Sequence, residues 1–269
     1  MSDGSHPLPI ASYYARLSQR LIGAITAPTA EGRLYDVDMR LRPSGASGPI
    51  ASSVAGFAWY QRESAWTWEH MALTRARPVA GETKLQARIA DAIHSVLGSE
   101  RDPERLLVDV AEMRRRIADE NPRPSPWDLK NRRGGLLDLE FIVQYLVLRE
   151  AAASPHILHS GTEQALRALG QAGLLAQQAQ RELLDALALL RKVQAVLTLL
   201  CERLPEEETF SEADAAALAR CADAVDFARL DADITAATER VRSWYRRLIE
   251  EPARRAARRM ADHIGDSAG

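Results

Sequence analysis

The chain has 269 residues, 46% of them hydrophobic, with 35 basic and 37 acidic side chains and a formal net charge of −2. That length buries a substantial core and suggests two domains, while the balanced charge gives no broad electrostatic basis for binding nucleic acid or an anionic membrane, so any nucleotide recognition must be local. The two cysteines lie outside any Cys-x-x-Cys or Cys/His cluster, the apolar stretches are broken by charge, and no basic-then-apolar signal opens the chain, so a cytoplasmic protein without a membrane span is expected.

In chain order, a first helix is expected from Ile10 to Thr26, with Leu17, Leu21 and Ile25 on one face and Pro28 ending it. A strand is expected next, over residues 33–42. Its core is YDVDMRLRPSG, from Tyr35 to Gly45, which sorts with period two. Tyr35, Val37, Met39 and Leu41 take one face; Asp36, Asp38, Arg40 and Arg42 take the other, with about 7 Å between alternate residues. Carboxylates hold divalent metal and guanidinium forks hold phosphate, so this face suits a nucleotide with its Mg²⁺. The alternative is a solvated edge strand with alternating charges, in which Asp36 pairs with Arg42 or Arg33. Ser44-Gly45 and Gly48 either bring backbone N–H groups to a phosphate or form a plain turn. Ser52 or Ser53 caps a helix carrying Phe57, Trp59 and Tyr60. The segment AWTWEHMALTRARPVAG follows, its Trp66 and Trp68 expected to pack between strand and helix. His70 has no partner at metal-ligand spacing. A helix is then expected from about Glu82 to Leu97.

From Asp102 onward the pattern is helical. Asp102 caps, Pro103 takes the first helical position, and Leu106, Val110, Met113 and Ile117 mark a face. Residues 120–135 are the long polar break, read as a functional loop or hinge. It holds Asp128, Lys130, Gly134 and Gly135, with Asp138 and Glu140 in the helix that follows. Lys130 is a phosphate candidate on its own. Positions 138 and 140 lie about 200° apart on a helix, so one of the two can face a site while the other caps or pairs. Leu136 to Leu148 is apolar almost all round and should be the buried central helix. Two seams repeat at 3.5 residues: Leu183, Leu187, Leu190, Gln194, Leu197, Cys201, Leu204, and Phe227, Leu230, Ile234, Ala237, Val241, Trp244, Leu248. The arginines near the end, Arg254, Arg255, Arg258 and Arg259, read as a solvated helix end.

YDVDMRLRPSGASGP, AWTWEHMALTRARPVAG, DLK and GGLLDLEFIVQYLVLR, in that order, resemble the glutamine synthetase adenylyltransferase/adenylyl-removing family over about residues 10–250. The resemblance is to the C-terminal, adenylylating half. It implies an α+β, mostly α chain: a partial DNA polymerase β-like nucleotidyltransferase domain over 1–100, then a helical bundle over 101–269. It implies transfer of AMP from ATP to a tyrosine of glutamine synthetase, with Mg²⁺, and a PII-type signal protein as a second partner. Asp38 matches the third metal-binding carboxylate of that fold, Asp36 is a second candidate ligand, and Arg40 and Arg42 fall to the triphosphate. The pattern's Gly-Ser followed by an Asp-x-Asp pair has no counterpart upstream of Asp38, so the expectation is a chain truncated at its N-terminus that transfers little AMP by itself. Two alternatives remain: a non-catalytic helical module that binds glutamine synthetase or a PII-type protein, and the phosphorolytic adenylyl-removing half.

Overall fold

Helix starts follow the capping residues of the sequence. Ser53 Oγ accepts the Gly56 N–H at 3.0 Å, and Asp102 Oδ1 accepts the Arg105 N–H at 2.8 Å. Each satisfies a donor that the first helical turn leaves without an intrahelical partner. The computed structural model describes residues 8–30, 32, 35–120, 122, 124–200 and 210–266. Two compact units result, one of Met1–Ala72 with Pro78–Val96 and one of Leu73–Arg77 with Leu97–Gly269.

In the first unit, α1 (Ile10–Ile25), α2 (Val54–Glu63), α3 (Thr67–Leu73) and α4 (Thr83–Leu97) are joined by irregular chain. Helix α1 has the expected bounds and amphipathic spacing, but none of its residues is buried; Leu21 is 58% exposed. An apolar stripe sets the helix, whereas burial needs a covering element. Trp66 and Trp68 likewise stand 70% and 37% exposed, so the expected packing between strand and helix is not found. Glu69 is a buried carboxylate in this segment. Its carboxylate takes the Tyr60 hydroxyl and the Trp66 N–H, each at 2.8 Å, and so holds the start of α3 to α2.

The expected strand does not form. Residues 35–39 have no regular structure, residues 40–44 turn, and residues 45–47 make one 3₁₀ turn; residues 33 and 34 lie outside the described residues. Among the described residues the β pairing is a single antiparallel bridge, Thr29 with Gly32. Period-two alternation specifies which face a strand would show, but a strand persists only where a neighbour accepts its backbone hydrogen bonds. The described chain offers none, so it is mostly α and no nucleotidyltransferase sheet is seen in it.

The second unit is a helical bundle of α5 (Pro103–Glu120), α6 (Leu136–Glu150), α7 (Thr162–Gln171), α8 (Gln177–Leu200), α9 (Glu212–Cys221), α10 (Phe227–Tyr245) and α11 (Glu251–Asp266). Helix α6 is the central one expected, buried on nearly every side, with α5, α7, α8 and α10 packed around it. Its sequence, apolar almost all round, has little solvent face to offer. The two seams form the α8–α10 contact: Leu183, Leu187, Leu190 and Leu197 from one, Leu230, Ile234, Ala237 and Val241 from the other. Gln194 is only half-buried, and Cys201 and Leu204 lie outside the described residues. Beyond Val241 the buried residues are Tyr245 and Ile249, not Trp244 and Leu248. A straight helix drifts about 20° per heptad against a 3.5 repeat, and the π-helical turn Arg246–Glu250 adds a residue before α11. At the end of the chain Arg259 is not merely solvated: it forks onto Glu104 of α5. Among the described residues no helix is long and apolar enough to cross a membrane.

Candidate functional site

In the first unit the charged face expected of the strand is folded onto itself. Asp38 and Arg40 meet as the spacing suggested, but as a forked ion pair: Arg40 Nε reaches both carboxylate oxygens at 3.0 Å and Nη2 reaches Oδ2 at 2.7 Å. Those bonds hold the Asp38 carboxyl down at about 2, well below the usual carboxylate range. Both groups are open to solvent. Arg42 takes another course. Its guanidinium donates to the carbonyls of Gly48 at 3.1 Å, Met39 at 3.3 Å and Ala46 at 3.0 Å, winding the chain into the 40–48 curl. Ser44 and Gly45 sit in left-handed conformations at its apex, φ 62° and 53°. The curl therefore has an internal structural use for Arg42, Ser44 and Gly45. Asp36 is exposed beside it.

In the second unit the polar break between α5 and α6 folds back on itself around a buried charge pair. Arg114, on the otherwise apolar face of α5, gives Nε to Asp138 Oδ1 and Nη2 to the Asn131 carbonyl at 2.9 Å. Asp138 Oδ2 accepts the Gly134 N–H, so the carboxylate closes the turn ahead of its own helix. Both side chains are inaccessible, at 1% and 0% exposure. Asp138 therefore cannot touch a ligand in this conformation. Glu140, about 200° round α6, pairs with Arg75 at 2.6 Å. Asp128 accepts from the Asn131 backbone N–H at 3.0 Å and from its side-chain amide, tying the loop locally. Gly134, at φ 76°, lies so close to α10 that a Cβ would strike the Thr238 carbonyl; Gly135 begins α6. Lys130 is exposed.

Three contributions escaped sequence reading. Arg114 had a visible signal, a charge four residues after Val110 on a helix stripe otherwise apolar. Trp127 had none. It is 3% exposed and packs against Phe210 and Phe227, ring centroids 4.7 and 5.4 Å away, anchoring the loop to α10. The third is a set of arginines that converge from the loop and α10, because sequence separation hides their approach.

A Mg²⁺ ion demands near-octahedral oxygen ligation. Among the described residues no three His, Cys, Asp or Glu side chains converge for a metal, and Asp38 offers one carboxylate already held by Arg40. The described residues by themselves do not form a Mg²⁺ site.

Against known proteins, residues 1–92 match the family model for glutamate-ammonia ligase adenylyltransferase, and residues 105–249 match the model for GlnD PII-uridylyltransferase. A bifunctional glutamine synthetase adenylyltransferase/adenylyl-removing enzyme of Xanthobacter autotrophicus is 45% identical over 94% of this chain, which covers 26% of that protein. Proteins of the same description from Bradyrhizobium diazoefficiens and Rhodopseudomonas palustris are each 44% identical, over 96% and 92% of this chain and 26% and 25% of their own length. The chain thus spans about a quarter of the length of the curated relatives it matches. With that identity sustained through both structural units, the chain belongs to the family of bifunctional glutamine synthetase adenylyltransferase/adenylyl-removing enzymes.

Proposed function

We propose that the chain serves the adenylylation control of glutamine synthetase, in the half that transfers AMP from ATP to a tyrosine. The observation that carries the reading is the 45% identity to the Xanthobacter relative across 94% of the chain. In this reading Asp38 is the catalytic carboxylate and Arg40 its neighbour on the triphosphate side. Their ion pair is solvent-exposed, and water screens such a pair, so either group is free to exchange its partner for a ligand. Mg²⁺ and ATP belong to the reading as partners of the whole transferase, since this chain's described residues supply one carboxylate toward that site.

A second reading has its own support. Residues 105–249, within the helical unit, match a model named for a PII-uridylyltransferase. This unit then docks glutamine synthetase or a PII-type protein and does no chemistry itself.

The test replaces the matching segment of the Xanthobacter relative with this chain and measures both AMP attachment to glutamine synthetase and its phosphorolytic removal. Retained attachment is expected. Loss of attachment with removal intact is the result that excludes assembly into the adenylylating half. Titration of the intact chain alone with glutamine synthetase and with a PII-type protein separates the docking reading, which fails if neither binds.

A further inference from the structure

We propose that the helical unit carries a binding site for a small phosphate-bearing anion, in a cleft between the loop ahead of α6 and the C-terminal part of α10. The cleft holds about 360 Å³ and is lined by four arginines, Arg132, Arg133, Arg242 and Arg246, with Ser243 and the single carboxylate Glu239. That volume is at the small end of ligand pockets. Guanidinium forks match phosphate oxygens two at a time, and four of them facing one carboxylate favour an anion with several oxygens to share.

The charges are only partly answered from within. Arg246 Nε lies 3.3 Å from Glu251, and Arg242 Nη2 lies 2.7 Å from Glu250, both carboxylates being outside the cleft lining. The second contact is close but not aligned: Glu250 Oε2 and Arg242 Nη1 are both buried without a hydrogen bond. Buried polar atoms left in that state are rare and call for a reason. Arg132 spends one nitrogen on the Pro126 carbonyl at 2.8 Å and has no carboxylate partner among the described residues. Arg133 is exposed and has no carboxylate partner among the described residues.

The cleft is also built rather than incidental. Gly134 presses against the Thr238 carbonyl, and Asp138 and Arg114 fix the loop from behind, so Arg132 and Arg133 are presented from a backbone already held in place. Binding to a site so prepared spends little on ordering it. The other wall carries the π-helical turn at Arg246–Glu250, a local distortion often found at functional sites. An anion seated on Arg242 and Arg246 competes with Glu250 and Glu251 for the guanidiniums on either side of that turn. None of the four arginines has a role in the adenylyl-transfer reading, and the proposal stands without it.

Isothermal titration of the whole chain with pyrophosphate, at low ionic strength and without Mg²⁺, reads the site directly. Saturable one-to-one binding is expected. Arg133→Ala and Arg246→Ala should each weaken it about tenfold, since each removes a charge-assisted contact. Arg167→Ala, which loses only the surface pair with Glu163, should leave it unchanged. Arg246 is 56% exposed, so its variant is expected to fold; Arg246→Lys, which keeps charge but loses the fork, should fall between wild type and alanine. Absence of saturable heat overturns the proposal. So does binding that the two alanine variants leave intact, and so does succinate binding as tightly as pyrophosphate, which would make the site one for carboxylates.

Discussion

Removing the Asp138 carboxylate tests the centre of the helical unit. Asp138 and Arg114 are 0% and 1% exposed, and the carboxylate accepts both the guanidinium and the Gly134 N–H. In Asp138→Ala the guanidinium keeps a single acceptor, the Asn131 carbonyl, and its charge has no counterion within contact. Breaking a buried pair from one side costs about 3–5 kcal/mol, because the remaining charge stays desolvated. Arg114→Met should cost a similar amount from the other side. Replacing both, as Arg114→Met with Asp138→Leu, removes the stranded charge and leaves chiefly the Gly134 N–H without an acceptor, about 1–3 kcal/mol. The double variant should thus be more stable than either single one, a strong departure from additivity. Urea denaturation followed by circular dichroism gives the free energies, and calorimetry should show the single variants melting about 6–20 °C lower. Single-variant losses under about 1 kcal/mol, or a double variant equal to their sum, would refute the account of the pair as a desolvated unit.

Other outcomes follow from the same structure. Leu190→Ala, at a fully buried position of α8, should cost roughly 2–5 kcal/mol by chemical denaturation, whereas Arg258→Ala on the exposed side of α11 should cost under about 0.5. Gly134→Ala combines φ 76° with a Cβ that meets the Thr238 carbonyl, and should lower stability by more than about 1 kcal/mol. Carboxyl carbon NMR should place the Asp38 midpoint near 2, and Arg40→Ala should return it toward 3.8. The sign is fixed by the depression: the Asp38–Arg40 pair is intact above the ordinary carboxylate range and is lost as pH falls toward 2. A midpoint near 3.8 in the unaltered chain would show the pair absent in solution.

The helical unit was legible because its information is local and periodic. Asp102-Pro103 marked the start of α5, a run apolar almost all round marked α6 as central, and apolar residues at 3.5-residue spacing marked the α8–α10 contact. The seam departed from expectation at Gln194, which is half-buried, and beyond Val241, where the drift of a straight helix against a 3.5 repeat carries it from Trp244 and Leu248 to Tyr245 and Ile249. The segment 35–42 failed for a different reason. Its alternation is real, and it does bring Asp38 and Arg40 together, but a strand is a property of two segments and alternation reports on one. Arg42, free to choose between a neighbouring strand and nearby carbonyls, took the carbonyls. Helix geometry set Asp138 and Glu140 on different sides of α6, where each meets its own arginine; Arg114 was visible as a charge on an apolar stripe, but its partner 24 residues later was not. The arginine cleft was hidden likewise, its walls being about a hundred residues apart in the chain.

The reading of this chain as part of an adenylylating enzyme makes its sharpest claim at Asp38. The decisive measurement is the rate of AMP transfer to glutamine synthetase by the Xanthobacter relative carrying this chain in place of its own segment, with and without Asp38→Asn. The account predicts a fall of roughly a thousandfold or more in the substituted protein, with binding of glutamine synthetase unchanged, because a carboxylate acting within one catalytic unit is not separable from it. Transfer within about twofold of the unsubstituted protein would contradict it.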